Sequence, residues 1–180
     1  MTGAGKGIGR EIVTQLVKCG AEVVALSRTQ ADLDSVKQEH PSVDIVNCDV
    51  SDWDKTKEIL SKVGNIDLLV NNAAVAICEP LEAIKAADID VMMNINVKAV
   101  INITQIIAQN MIKRGVAGSI VNISSQASTA ALGDHIVYSA SKGALDAATR
   151  VMALELGSKN IRVNTVNPTV ITTAMSMVGW

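Results

Sequence analysis

Five short runs of β-branched and other apolar residues alternate with longer stretches in which apolar residues recur at helical spacing. The runs fall at 21–27 (AEVVALS), 43–50 (VDIVNCDV), 66–71 (IDLLVN), 119–124 (SIVNIS) and 161–167 (IRVNTVN). They are almost continuously apolar, as strands covered on both faces must be, whereas a strand with one wet face alternates. The amphipathic stretches between them are 8–19, 30–39, 52–63, 82–114 and 137–157. Strand–helix–strand repetition requires right-handed crossovers, hence a parallel sheet with helices on both faces. Gly20 and Gly157 are the expected helix stops and Ser51 an N-cap. With 180 residues, no linker and no internal repeat, the prediction is one doubly wound α/β domain.

Composition removes several function classes. Hydrophobic residues make up 48% of the chain, too many for disorder. Lys+Arg 16 against Asp+Glu 18 leaves no global positive field for a polyanion. Trp53, Tyr138 and Trp180 are the only aromatic residues, so single-stranded nucleic acid has no stacking platform. Cys19, Cys48 and Cys78 are odd in number and lack the paired spacing of a zinc site or disulfide scaffold. No apolar run in the sequence approaches the ~18 residues of a membrane span, and no apolar signal core opens the chain. A soluble, cytoplasmic protein without membrane or nucleic-acid partners is the expectation.

Both ends look abrupt. The chain enters a glycine-rich turn at Thr2-Gly3, although such a turn ordinarily follows a strand that sits at the centre of the sheet. After the last apolar run there is no further helix or strand before Trp180. The expectation is a partial domain, spanning 1–180, that lacks its first strand and a C-terminal helix and strand.

Gly3, Gly5, Gly7 and Gly9 punctuate the segment TGAGKGIG at 2–9. Glycine tolerates positive φ and lets backbone approach a pyrophosphate, and a helix opening near Gly7 aims its free N–H groups at that anion. The plain alternative is a flexible tail of small residues; the helical and strand-like segments that follow favour the phosphate turn. Lys6 and Ile8 complete the turn. At the end of the next strand, an acid would bind a ribose 2′-hydroxyl and a base a 2′-phosphate. The residues there are Ser27-Arg28-Thr29, with no carboxylate before Asp32, and Lys6 is a second cation. A guanidinium beside a hydroxyl suits a phosphate monoester, which points to NADP(H) over NAD(H). Asp49 and Val50 close the strand run at 43–50, where a carboxylate can accept from an adenine amino group. Asn72 and Ala73, in NNAA at 71–74, close the following strand, where small residues admit a ribose. Turn chemistry alone also places Asn and Asp at strand ends.

Tyr138 and Lys142 stand four apart on a predicted helix, hence on one face. Ser125, thirteen residues before Tyr138, ends an apolar strand, where doubly wound folds keep their ligands. A free phenol has pKa ~10, and a neighbouring positive charge is expected to lower it. Tyr138 would then donate a proton to a carbonyl receiving hydride, Ser125 would hydrogen-bond its oxygen, and Lys142 would tune the phenol and bind the nicotinamide ribose. A Tyr–Lys pair arises by chance on many helices; here it includes the only tyrosine and lies downstream of a phosphate turn.

TGAGKGIG at 2–9, NNAA at 71–74, Ser125 and YSASK at 138–142 together resemble the short-chain dehydrogenase/reductase family over essentially the whole chain. The resemblance implies a Rossmann-type fold and a catalytic tetrad completed by an asparagine, for which Asn96 matches better than Asn94. That asparagine would hold a water linking Lys142 to solvent. The family's Pro-Gly segment reads Pro168-Thr169 here, with Val170 and Thr173 facing the nicotinamide amide and diphosphate. Segments such as SRTQADLDSV (27–36), IVNISSQAS (120–128) and VMALELG (151–157) narrow the resemblance to reductases of small sugars and α-dicarbonyls. Gln126, His135 and Trp180 are then candidates for a small polar substrate pocket, although His135 reads equally as a solvated loop residue. The resemblance also implies a homotetramer, with helices around 96–114 and 137–157 forming one interface. Another ketone or 3-oxoacyl reductase, or a silent subunit acting by association, are the alternatives.

Overall fold

In the computed structural model, which describes residues 1–173, every apolar run forms a parallel strand within three residues of its predicted position. The strands are β1 Val24–Ser27, β2 Asp44–Asn47, β3 Leu68–Asn71, β4 Gly118–Ile123 and β5 Ile161–Val166. Helices α1 Gly7–Lys18, α2 Gln30–Glu39, α3 Trp53–Leu60, α4 Ala86–Met93, α5 Ala99–Arg114 and α6 Ile136–Gly157 cross between them. The strands divide into a β1–β2 pair and a β3–β4–β5 sheet. Two apolar cores follow: Val13, Leu33 and Val36 pack with Ala25 and Val43 on one side, and Ile103, Ile107 and Met111 with Ile120 and Ile161 on the other.

The predicted gap at the centre of the sheet is where the two parts meet, and Met1 and Thr2 occupy it. Thr2 pairs in parallel with Leu26, while its N–H donates to Val70 O at 3.0 Å. Met1 O accepts from Leu26 N at 2.9 Å and Ala4 N donates to Leu26 O at 3.1 Å. Two residues therefore do the bridging of a central strand, in the order β2–β1–(1–2)–β3–β4–β5. This brings the C-terminal ends of β1 and β3 to opposite sides of the glycine turn.

Three boundary expectations are corrected. Asp52, not Ser51, caps α3, its carboxylate accepting from Lys55 N at 2.9 Å; a charged acceptor also meets the positive helix end. Ser51 N instead donates to Asp49 Oδ1 at 3.0 Å. Gly157 is the last residue of α6 rather than the residue that turns out of it; Asn160 takes the left-handed conformation, at φ 58°. The single helix predicted for 82–114 is broken into a 3₁₀ turn at Leu81–Ala83, α4, a π-helical turn at Asn94–Lys98 and α5. The continuous run Ala86–Arg114 is, by length and composition, enough to cross a membrane, contrary to the sequence expectation. Half of its most apolar stretch is buried in the fold, which is how a core helix behaves.

Candidate active site

A cavity of about 620 Å³ opens along the C-terminal ends of the strands, where side chains from successive strand-to-helix loops converge. At its floor, the glycine turn runs into α1. Among the described residues no side chain caps this helix and no acid lies in its first turn, so its positive end faces the cavity. Gly7 has φ 52°, a left-handed conformation costly for other residues, and a Cβ there would lie 3.2 Å from Thr173 Cγ2. Gly9 is constrained by space: a Cβ would lie 2.1 Å from Gly3 O and 2.6 Å from Asn72 Nδ2. Gly9→Ala is accordingly expected to lower stability by about 2–3 kcal/mol, the upper range for overpacking, because backbone must move. Urea denaturation would show it, and an unchanged midpoint would mean that the turn yields freely.

Asn72 fastens this turn to the sheet. Its Nδ2 donates to Thr2 O at 3.2 Å and Gly3 O at 3.1 Å, while Thr2 Oγ1 accepts from Asn72 N and Ala73 N. Gly3, Gly5, Lys6, Gly7 and Ile8 line the cavity, as do Asn72 and Ala73. Gly9 does not line it but packs behind. Ser27, Arg28, Asp49 and Val50 line one end, and hydrogen bonds from Ser51 hold the Asp49 carboxyl below its ordinary range. Pro168, Val170 and Thr173 line the other side, and Pro168 O accepts from Gln126 N at 2.9 Å. Lys6 is not a free second cation: Asp32 Oδ2 lies 3.3 Å from its Nζ, and Asp32 itself lines the cavity.

Ser125, Tyr138 and Lys142 meet at the middle of the cavity. Ser125 is buried beyond β4, its Oγ accepting from Ala127 N at 3.1 Å and hydrogen-bonding the Tyr138 phenol. Lys142 is 2% exposed and donates from Nζ to Ile123 O at 2.9 Å, with Nζ 5.7 Å from the Tyr138 ring centre. The expected lowering of the phenol is corrected. Burial pushes Tyr138 above its ordinary value, the Ser125 hydrogen bond pulls it down, and Cys78 raises it further. Burial also pulls Lys142 down from 10.5 to about 8, with Asp146 opposing.

Asn96 is the inward asparagine of the π-helical turn, 1% exposed, while Asn94 Nδ2 donates to Ser51 O in the turn ahead of α3. Asn96 Oδ1 accepts from Val75 N at 2.9 Å, and Nδ2 donates to Val75 O at 2.9 Å and Ser141 Oγ at 3.0 Å. Both amide protons are therefore committed to holding the loop after β3 against α6. Ser141 Oγ in turn donates to Tyr138 O at 2.7 Å.

The substrate candidates divide. His135 is 5% exposed and lines the cavity, edge-on to Tyr138 with ring centres 6.2 Å apart, so it is not a solvated loop residue. Gln126 is exposed and is not part of the lining, because the 3₁₀ turn Gln126–Ser128 that Ser125 caps turns it outward. Trp180 lies outside the described residues. Among the lining residues that the sequence did not place in the site are Asp32, hidden on a surface helix face, and Cys78, in a loop with no periodicity. A buried polar ladder was also missed. Asn71 Nδ2 donates to Asn122 Oδ1 and Thr104 Oγ1, and Asn122 Nδ2 donates to Thr149 Oγ1, tying β3, β4, α5 and α6 together beneath the site.

Comparison with known proteins agrees with this geometry. L-xylulose reductase of Mesocricetus auratus is 55% identical over the whole chain and 74% of its own length. D-erythrulose reductase of Gallus gallus is 49% identical, covering the whole chain and 73% of that protein. Carbonyl reductase [NADPH] 2 of Sus scrofa is also 49% identical, over 97% of this chain and 72% of that one. Among solved structures, the closed form of serine dehydrogenase complexed with NADP+ superposes with a TM-score of 0.93 at 29% identity, covering 99% of this chain and 74% of that one. The 3-ketoacyl-(acyl-carrier-protein) reductase from Brucella melitensis complexed with NADH reaches 0.92 at 28%, covering 99% and 77%. With the family model for short chain dehydrogenase matching residues 1–178, the chain belongs to the short-chain dehydrogenase/reductase family of oxidoreductases.

Proposed function

We propose that the chain is an NADPH-dependent reductase of small carbonyl compounds, converting L-xylulose to xylitol and reducing α-dicarbonyls such as diacetyl. The observation that carries the reading is a half-buried phenol of raised pKa, hydrogen-bonded to Ser125 and facing a cavity whose floor is an uncapped helix start. The residues suit a dinucleotide: the positive end of α1 and Thr173 would take the diphosphate, and Ser27 and Arg28 the 2′-phosphate. Asp49 and Val50 would take the adenine, Asn72 and Ala73 the adjoining ribose, and Pro168 and Val170 the nicotinamide amide. The cofactor when bound supplies hydride to the substrate carbon.

Tyr138 holds the proton destined for the carbonyl oxygen, and a raised pKa keeps that proton in place at neutral pH. Ser125 O–H hydrogen-bonds the same oxygen as its charge grows. Lys142, anchored on Ile123 O, holds the nicotinamide ribose and passes a replacement proton towards the phenol. Asn96 supports this relay, with a water between Lys142 and solvent. His135 offers an imidazole to substrate hydroxyls. The homotetramer proposed for the protein would use the outer faces of α5 and α6, where Ile101, Ile112, Val151 and Leu154 are exposed.

The decisive test is NADPH oxidation by purified protein with L-xylulose, diacetyl and a 3-oxoacyl thioester. Brisk turnover of the thioester without the other two would replace this reading by that of a 3-oxoacyl reductase. Arg28→Asp should weaken NADPH binding at least tenfold while leaving NADH within about twofold, since a carboxylate repels a 2′-phosphate and accepts from a 2′-hydroxyl. An unchanged NADPH/NADH ratio would remove Arg28 from the phosphate site.

A further inference from the structure

The cavity wall next to Tyr138 carries a thiol that carbonyl reduction does not use. Cys78, in the loop after β3, lines the cavity, and its Sγ is 3.4 Å from His135 Nε2. His135 is the N-cap residue just ahead of α6, and its Nδ1 bonds to Gly133 O. A carbonyl only accepts, so Nδ1 carries the ring proton and Nε2 presents a lone pair. The thiol is therefore the donor in the Cys78–His135 contact. A nucleophile, a base within hydrogen-bond reach and a third group fixing the base's tautomer are the parts of an activated-nucleophile site. Cys48, by contrast, is buried against Thr56, and Cys19 is exposed at the end of α1.

Cys78 stands near enough to Tyr138 to act on its ionisation, and the imidazole lies edge-on to the same ring. A small carbonyl compound held by Tyr138 and Ser125 thus enters a chamber with the thiol on its wall. Burial, with Asp134 and Glu79 adding to it, keeps the resting thiol protonated, so attack requires His135 to remove the proton.

The geometry points to Cys78 and His135 as a covalent site within the substrate chamber, where the thiol captures α-dicarbonyl compounds as a reversible hemithioacetal. It rests on the reading that such compounds enter this chamber. Sγ forms a bond to one carbonyl carbon, made electrophilic by its neighbour. The C=O π bond breaks towards oxygen, and the thiol proton passes through His135 Nε2 to that oxygen. No oxidant, reductant or leaving group is needed. The adduct fills the space in front of Tyr138, so excess dicarbonyl slows turnover through Cys78.

The test uses 3-bromo-2-butanone, a thiol-alkylating ketone with the four-carbon frame of diacetyl, and peptide mapping in borate-free buffer. Labelling at Cys78 is expected to saturate with probe concentration and to slow at least fivefold with excess diacetyl. His135→Gln should slow it at least tenfold, with labelling of Cys19 unchanged as the control in both cases. Cys78→Ser should abolish the labelled peptide and relieve inhibition by excess diacetyl. Labelling that rises linearly with probe, or that ignores either diacetyl or His135→Gln, overturns the inference. Diacetyl reduction without capture at Cys78 rejects this site alone, whereas capture without NADPH oxidation rejects the proposed reaction and leaves the site standing.

Discussion

Tyr138→Phe is expected to cut turnover of a small ketone by about 10²–10⁴-fold, the usual contribution of a positioned acid. The variant removes one oxygen from a ring that otherwise keeps its place between His135 and the Lys142 chain, so nucleotide affinity should stay within about twofold. The two readouts together separate loss of a proton donor from loss of a binding site. Direction of catalysis adds a second check. Burial holds the phenol above its ordinary value while Lys142 releases its proton near pH 8, so reduction should be flat up to about neutral pH and fall at alkaline pH, first as the Lys142 relay empties and then as the phenol ionises. Alcohol oxidation needs the deprotonated phenol and should rise over the same range. Measuring kcat against pH in both directions tests this; a reduction rate already falling between pH 5 and 7 would show that another group supplies the proton. Near-normal turnover by Tyr138→Phe would remove the phenol from the reaction.

Much of the site was legible because it depends on residue type and spacing along regular elements. Strand ends at 27, 71 and 124 place Arg28, Asn72 and Ser125 on one edge whatever the details of packing, and helical period alone puts Tyr138 and Lys142 on one face. The remainder depends on departures from regularity. A helical pattern at 82–114 does not announce the π-helical turn at Asn94–Lys98 that swings Asn96 inward to Val75 and Ser141. The residue after Ser125 was expected to share its cavity, but the 3₁₀ turn it caps sends Gln126 outward. Asp32 reaches Lys6 only because α2 folds back over the glycine turn. Charge was misread for a related reason: spacing showed the ammonium near the phenol, but not that the ammonium would be buried, the phenol half-buried, and Nζ spent on Ile123 O.

Lys142→Met carries the second large expectation, because it should make the protein more stable and nearly inactive at once. The ammonium is almost wholly buried, and its pKa of about 8 against an ordinary 10.5 corresponds to ~3 kcal/mol against the charged form. Below pH 8 the lysine is protonated in both folded and unfolded chains, so this penalty is fully present. Between about 8 and 10.5 the folded chain has released the proton while the unfolded chain still binds it, so stability rises with pH. Methionine fills a similar volume without charge. It forfeits the bond to Ile123 O, worth ~1 kcal/mol, and escapes the burial penalty, for a net gain of about 1–2 kcal/mol at pH 7. Urea denaturation of both proteins at pH 7 and pH 9.5 would show the advantage of the variant shrinking at the higher pH, and the difference between them isolates Lys142 from other groups titrating there. Turnover should fall at least 100-fold, with weaker nucleotide binding, because the ribose and proton-relay contacts are gone. Such opposition between stability and activity is what a site-bearing residue held against its solvation preference must show. A variant less stable than the parent at pH 7, with no convergence at pH 9.5, would instead make Lys142 a structural strut of the β4–α6 contact.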